Sequence, residues 1–416
     1  MQLFRKNRNN SRRLHMIGDE ERKRYMRNRN RHDASQKFLH KIFKPAVYFF
    51  SLSLNIVFII LLLLSGLATQ ISPETFVLPS FLSLGFNFLV IINILYVIFW
   101  IIRLKPHFIY SLFVLILLST NIQNNFPIHL FGTDTEEQIK QVGNNGKDIN
   151  ILSYNVKLFN FYEKDQSGLS KTLEYILKRD ADIVCLQEYG FYNNDRFLSE
   201  DDIIDYLDDK YPYSHTAYQM NPNGKSSYGI AVFSKFPIIA KGKVNYGSKY
   251  NLTTFSDIDA DGYIFRLFNC HLESNQFTSD DKKKMFESMS ETDRNKITEA
   301  TDVVTKKLSK ASKVRAKQAE SISAAIRESY IPVVVCGDLN DTPASYTYKK
   351  ITGDLSDAFT STSSGLGTTF NEMPFWFRID YILHSKNFIA HKFHIDKTEL
   401  SDHYPISTQL RLTQTE

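Results

Sequence analysis

The chain has 416 residues, 43% of them apolar, and carries 50 Lys and Arg against 45 Asp and Glu. That length suits one large domain or two or three modest ones, and the charge is too balanced to argue for a nucleic-acid partner over the whole chain. Cys185, Cys270 and Cys336 lie in apolar strand-like runs without CxxC or Cys/His spacing, which excludes a zinc site of that kind.

Residues 1–44 are polar and basic, with Arg5, Lys6, Arg29, Arg31, Lys41 and Lys44 among many cations. They read as a cytoplasmic flank that sets membrane orientation, in preference to an arm for nucleic acid or anionic lipid. The first apolar stretch begins too late for a cleavable signal peptide. Residues 46–68 and 76–102 contain no charge. At about 1.5 Å per residue, each is long enough to cross a hydrocarbon core of about 30 Å. Neither has a polar face, which argues against buried core helices. Tyr96 and Trp100 suit an interface, and Arg103 with Lys105 closes the second run. A shorter apolar run begins at Phe108 and extends as a third span to about residue 126, with a re-entrant or interfacial helix as the alternative. Residues 45–131 are therefore predicted to form a transmembrane region of two or three helices in the cell membrane. With three, the positive-inside rule places everything after about Phe131 outside the cytoplasm; with two, inside. The extracytoplasmic placement is the one adopted.

Residues 132–147 are polar and Gly/Asn-rich, and read as a linker. From 148 to 414 the composition changes to short β-rich runs alternating with helical segments. Strands are predicted over 150–156, 182–187, 228–234, 252–258, 263–271, 379–383, 388–395 and 405–412. Leu169, Leu173, Ile176 and Leu177 mark a helix between the first two. The charged segment 280–329 reads as largely helical, and its lysines as a solvated face rather than a binding patch. The most informative stretch is 331–341, IPVVVCGDLND, a buried strand that ends abruptly in a turn. The pattern suggests an α/β fold of two stacked sheets with helices outside.

Polar residues stand where these strands end. They are Asn155, Glu188, His271, Asp338 with Asn340, Asp380, and the pair Asp402-His403. Each alone has a bland reading: a surface acid, an Asx turn, a structural histidine, or an Asp380 paired with Arg378 or Arg266. So many complementary groups at strand ends would be a costly accident if all were desolvated for structure alone.

The set SYNV (153–156), QE (187–188), YGIAVFSKFPI (228–238), NCHLES (269–274), GDLND (337–341), RIDYIL (378–383) and SDHYPI (401–406) resembles the endonuclease/exonuclease/phosphatase superfamily. That group includes pancreatic-type deoxyribonuclease, abasic-site nucleases, bacterial sphingomyelinases and inositol-phosphate 5-phosphatases. The resemblance covers residues 148–412 in motif order and implies a four-layer sandwich of two mixed β-sheets flanked by helices. It implies that Glu188, helped by Asn155 and supported by Asp402, holds Mg²⁺, with Mn²⁺ as a substitute. It further implies that Asp338 takes a proton from water and Asn340 orients water or phosphate. His403, its tautomer fixed by Asp380, and His271 would contact the phosphate.

Two departures accompany the match. Lys157 stands where abasic-site nucleases carry an acid, and suits a substrate phosphate instead. Tyr228 sits one place nearer its strand than the phosphate-contacting tyrosine of the nucleases. Trp376 and Phe377 suit a wall for a base, sugar or lipid headgroup, or equally a strand with core aromatics. The expectation is a membrane-anchored, Mg²⁺-dependent phosphoesterase that hydrolyses phosphodiester bonds, with nucleic acid as its first candidate substrate and the lipid bilayer as its other partner. The alternatives are a phosphodiesterase acting on a phospholipid or sphingolipid headgroup, a phosphomonoesterase, and a non-catalytic phosphate-binding receptor.

Overall fold

Val333–Asp338, VVVCGD, is buried at every position, as a strand covered on both faces must be. It lies at the centre of a computed structural model that describes residues 19–129, 132, 135–142, 146–162, 170–192, 198–220, 226–248, 251–278, 280–281, 283–284, 287, 293–372 and 377–413. In chain order the strands are β1 (Gly146–Asn155), β2 (Ile183–Tyr192), β3 (Tyr213–Met220), β4 (Ser226–Ser234), β5 (Ile238–Lys243) and β6 (Leu252–Ala260). They continue as β7 (Tyr263–His271), β8 (Val333–Asp338), β9 (Ser356–Asp357), β10 (Asp380–His384), β11 (Phe388–Ile395) and β12 (Ile406–Thr413). One sheet runs β11-β12-β1-β2-β4-β3 and the other β5-β6-β7-β8-β10-β9. Both are mixed, because β1 pairs parallel with β2, and β7 with β8, while their other pairings are antiparallel.

Side chains alternate across a strand, so each sheet offers one face to its partner sheet and one to helices. Ile151, Ile183 and Val232 meet Phe265, Val334 and Ile382 between the sheets. On the outer face of the first sheet, Leu152 and Val184 pack with Leu173 and Ile176 of the helix Lys171–Arg179. On the outer face of the second, Phe268 and Val335 pack with Ala319 and Ile322 of the helix Arg294–Arg327. The layers are therefore helix, sheet, sheet, helix. Strands β3, β5 and the two-residue β9 lie outside the predicted set. The segment 132–147 contains a helix, Thr135–Val142, and the beginning of β1.

The N-terminal half of the fold corrects the expectation of two or three membrane spans. Among the described residues, one helical stretch, Pro45–Leu67, is long and apolar enough to cross a membrane. A second qualifies only if Leu78–Leu84 and Phe86–Ile102, bent by 73° at their junction, count as one span. Gly85, at that junction, accepts the break in the apolar run. The third run divides at Leu118 into Phe108–Leu117 and the polar Ser119–Asn125, leaving an apolar helix of 10 residues. These helices bury a few polar side chains within an apolar cluster of Leu62, Phe86, Leu89, Val90 and Val114, and are apolar outside as well. Buried Asn55 donates to Ser111 Oγ (2.8 Å) and accepts from Trp100 Nε1 (2.9 Å), while Ile60, Phe88, Ile91 and Phe113 face outward.

The helical region is fastened to the sheets through Arg378. Its guanidinium donates to Asp357 (2.6 Å) and to the Asn124 carbonyl (2.7 Å), and lies over the rings of Phe359 and Tyr381. The ion pair is buried, with both side chains 2% exposed. Removing one member of such a pair strands the other charge in a poorly solvated site. Asp357→Ala should therefore cost about 3–5 kcal/mol in urea unfolding of the detergent-solubilised chain. An unchanged midpoint would contradict this account of the junction.

Candidate active site

The pairing registers assemble a row of polar groups at one end of the stacked sheets. His271 on β7 is level with Asp338 on β8, and Asp338 with Asp380 on β10. Level residues on neighbouring strands project on the same side. In the other sheet, Asn155 on β1 is level with Gln187 on β2, just before Glu188.

Local backbone features aim these side chains. The register of β2 against β4 shifts between Gln187 and Tyr189, and Glu188 in this bulge has φ 47°. A bulge turns one residue out of the alternation, which here points the carboxylate across to the second sheet. Gly337 has φ 130°, and a Cβ there would lie 2.0 Å from the Cys270 carbonyl oxygen. Only glycine fits so close an approach of β7 and β8. Asn340 takes φ 52° and closes a turn in which its N–H donates to Asp338 Oδ1 at 2.7 Å.

Asp338 stands at the middle of the resulting cluster and is 1% exposed. Its Oδ2 accepts from the side-chain amides of Asn155 and Asn340, both at 3.1 Å. The Asn155 amide also reaches Glu188 Oε1 at 3.3 Å. Imidazole nitrogens lie nearby, His403 Nε2 at 3.7 Å and His271 Nε2 at 3.9 Å from Asp338 Oδ2. His403 Nδ1 is bonded to Asp380 Oδ2 at 2.9 Å. Asp380 is available for this because Arg378 is engaged by Asp357 and Arg266 by Asp257. Thr369 Oγ1 accepts from the N–H groups of Ile379 and Asp380 and fixes that strand entry.

Burial and neighbouring charge drive the two histidines in opposite directions. Burial works against the His403 cation, yet Asp380 and Asp338 outweigh it and push the ring up to about 10. Burial, with the adjacent His403 cation, pushes His271 down to about 3, so it is neutral. Its Nε2 lies 3.8 Å from Glu188 Oε1, which favours the proton on that nitrogen. Nδ1 then accepts from the Tyr228 hydroxyl at 3.2 Å. Burial raises Asp338, helped by Asp380, to about 7. Glu188 is also raised, chiefly by burial.

Crowded acids with high proton affinity suit a cation. Oxygen donors on Glu188 and Asp338 fit a hard divalent ion, while Asn155 turns its amide nitrogen to both carboxylates and its Oδ1 accepts from the Lys157 N–H at 3.1 Å. His271 Nε2 is buried without a hydrogen-bond partner, as expected beside a site built for an anionic guest.

The structure thus brings Asn155, Glu188, His271, Asp338, Asn340, Asp380 and His403 to one place, with Tyr228 behind His271. Asp402 and Phe377 line the same cavity, which has a volume of about 360 Å³. Lys157 sits at its edge, where Nζ bonds Asp402 Oδ2 at 3.0 Å rather than standing ready for a phosphate. Trp376 lies outside the described residues. The individual readings above missed the amides behind the site. Gln187 donates to Asn269 Oδ1 at 2.7 Å, and Asn269 donates to the carbonyls of Leu186 and Ala231, tying the two sheets together. Their signal was present as the polar partners in QE and NCH, inside otherwise apolar strands. Phe370, whose ring meets His403 edge-on at 5.1 Å, had no sequence signal.

The chain belongs to the endonuclease/exonuclease/phosphatase family, whose model matches residues 152–403. It is a hydrolase of phosphoester bonds. Residues 46–125 match a second model, a domain of unknown function (DUF8431). No curated protein matches the sequence. Among solved structures, an endonuclease/exonuclease/phosphatase from Bacteroides vulgatus is similar at 20% identity and TM-score 0.44, over 64% of this chain and 99% of that one. Beta toxin from Staphylococcus aureus is similar at 18% identity and TM-score 0.41, over 62% and 99%. The human nocturnin catalytic domain with bound sulfate is similar at 16% identity and TM-score 0.40, over 64% and 95%.

In the metal-free protein the His403 ring should remain protonated through neutral pH in NMR titration. Asp380→Asn removes a charge that holds the proton, so the pKa should fall. A wild-type ring titrating near the ordinary value of about 6.5 would contradict the assignment.

Proposed function

We propose that the chain is a membrane-anchored, Mg²⁺-dependent phosphodiesterase that works by in-line attack of water on phosphorus. The observation that carries this reading is the environment of Asp338. It is a buried carboxylate raised to about 7, with a cationic imidazole, a neutral imidazole and two amides around it. A base is most effective when its pKa lies near the working pH.

Glu188 would hold the metal in this proposal, Asn155 bridges it to Asp338 through its amide N–H groups, and Asp402 steadies the loop beside it through Lys157. When bound, Mg²⁺ neutralises charge on the phosphate and polarises it. Asp338 receives the proton of the attacking water while Asn340 keeps the carboxylate oriented. His403, kept cationic by Asp380, donates from Nε2 to a phosphate oxygen, and His271 donates from its own Nε2. Preorganised donors of this kind act on charge that grows in the transition state. The water oxygen bonds to phosphorus, the ester P–O bond breaks, and the departing oxygen takes up a proton. A receptor that only binds phosphate is disfavoured, since it has no use for a raised acid opposite a cationic histidine.

Anchoring is supported by the apolar outer surface of the helices, whose few polar side chains, Asn55, Asn93 and Ser111, are buried and bonded inside. Orientation has its own support. Tyr48 meets Trp100 and His107 at one end of the helices, the end that also carries Arg103 beside Phe99. The other end, at Ser65 and Leu82, is followed by Glu74, Asn124 and Pro127, which touch the sheet domain. With Pro45–Leu67 as the single full crossing, this arrangement supports a catalytic domain on the extracytoplasmic side under the positive-inside rule.

The test is turnover of bis(4-nitrophenyl) phosphate by the full chain in detergent with Mg²⁺. Asp338→Asn and His403→Ala should each lower kcat by about 10²–10⁴-fold while the thermal transition is retained. A folded variant with near-native rate would overturn the role assigned to that residue.

A further inference from the structure

Leu84, at the bend between Leu78–Leu84 and Phe86–Ile102, lines the same cavity as Glu188, Asp338 and His403. The helical region is therefore part of the active site's wall. We propose that the substrate is a lipid whose head is joined through a phosphodiester, taken directly from the membrane that holds these helices. This rests on the hydrolase reading above and names its substrate class.

Three observations carry it. The cavity joins two chemistries: besides the acids and His403, its lining includes the apolar Leu84, Phe277, Leu308, Phe370, Phe377 and Ile379. Leu84 leads into the helix where Phe86, Leu89 and Val90 share an apolar cluster with Ala344, three residues after Asp341 of the cavity. Phe88 and Ile91, on the same helix, are 66% and 55% exposed and ready for acyl chains. Second, the geometry is fixed rather than incidental. Asn124 and Pro127 bond to Arg378 and Gly365, and Glu74 pairs with Lys317 at 2.9 Å, so the mouth is held at the helical end.

Third, the described lining residues include no Lys or Arg, the cations beside them (Lys157, Arg315 and Lys307) are paired with Asp402, Asp341 and Asp281, and Glu188, Asp338, Asp341, Glu372 and Asp402 of the lining are all acidic. A nucleic-acid strand needs basic side chains along its run of phosphates. A single phosphodiester on an apolar stem needs only the catalytic groups and a greasy wall. A volume of about 360 Å³ accommodates a headgroup and the first carbons of a stem, not whole acyl chains, so the rest stays in the bilayer. Hydrolysis then adds water across one P–O ester bond, and the lipid alcohol or its phosphate remains in the membrane.

The experiment uses the full chain in nanodiscs with Mg²⁺ and three probes. These are phosphatidylcholines of increasing chain length kept below their micelle concentration, bis(4-nitrophenyl) phosphate, and single-stranded DNA. Each methylene that reaches the apolar lining should raise kcat/KM about fourfold. Leu84→Asp, and separately Leu308→Asp on another element, should flatten that dependence. Using both variants separates loss of the wall from damage to the anchor. Turnover of the soluble ester without chain-length dependence, or with DNA preferred, overturns the lipid proposal and leaves the phosphodiesterase standing. No turnover of any probe overturns both.

Discussion

The constraint on which the catalytic end depends is the burial of Asp338 and Asp380 side by side, with Glu188 across the gap between the sheets. Burial raises the proton affinity of Asp338 and of Glu188, helped at Asp338 by the Asp380 charge, and this must be compensated. The fold compensates them in layers. His403 bonds Asp380 and approaches Asp338, Asn155 bridges Asp338 and Glu188, and Asn340 closes the turn over Asp338. What these contacts leave uncompensated at Glu188 and Asp338 suits a divalent ion and a phosphate. The chemistry proposed here is therefore a consequence of how the electrostatic conflict is resolved.

That arrangement explains why the positioning residues are as constrained as the reactive ones. Gly337 permits β8 to approach β7 closely enough to set Asp338 beside His271. The bulge at Glu188, with Asn155 at the end of β1, brings groups of the first sheet to those of the second. Gln187 and Asn269 lock the sheets together directly behind it. None of these touches a substrate, yet each fixes distances on which acid–base geometry depends.

Much of this was legible along the chain because strands with one obligatory buried face declare themselves by composition, and polar residues at their tips stand out against it. β1, β2, β7, β8 and β12 were found that way, and so were the groups at their ends. β3 and β5 were not, since both lie at sheet edges and YSHTAYQM and IIAKGK mix polar and apolar residues. The number of membrane-length helices was misjudged because apolar composition does not register a 73° bend. Lys157 looked available for phosphate because its partner, Asp402, is distant in sequence and meets it only in the fold. Leu84 gave no signal at all: a leucine in an apolar helix acquires meaning only when a cavity opens beside it.

The joint between helices and sheets gives the molecule its second character. Arg378 binds Asp357 within the sheet domain and the Asn124 carbonyl of the helical region, two residues from Asp380. Anchor and reactive centre are thus held by adjoining residues of one strand entry. The measurement that tests the account most directly is anomalous diffraction from crystals of the full chain soaked in Mn²⁺. The account predicts one ion per active site at coordination distance from Glu188, on the side of Asp338 facing the cavity. An ion elsewhere, with Glu188 and Asp338 unliganded, would contradict the claim that these residues form a single metal-assisted hydrolytic site.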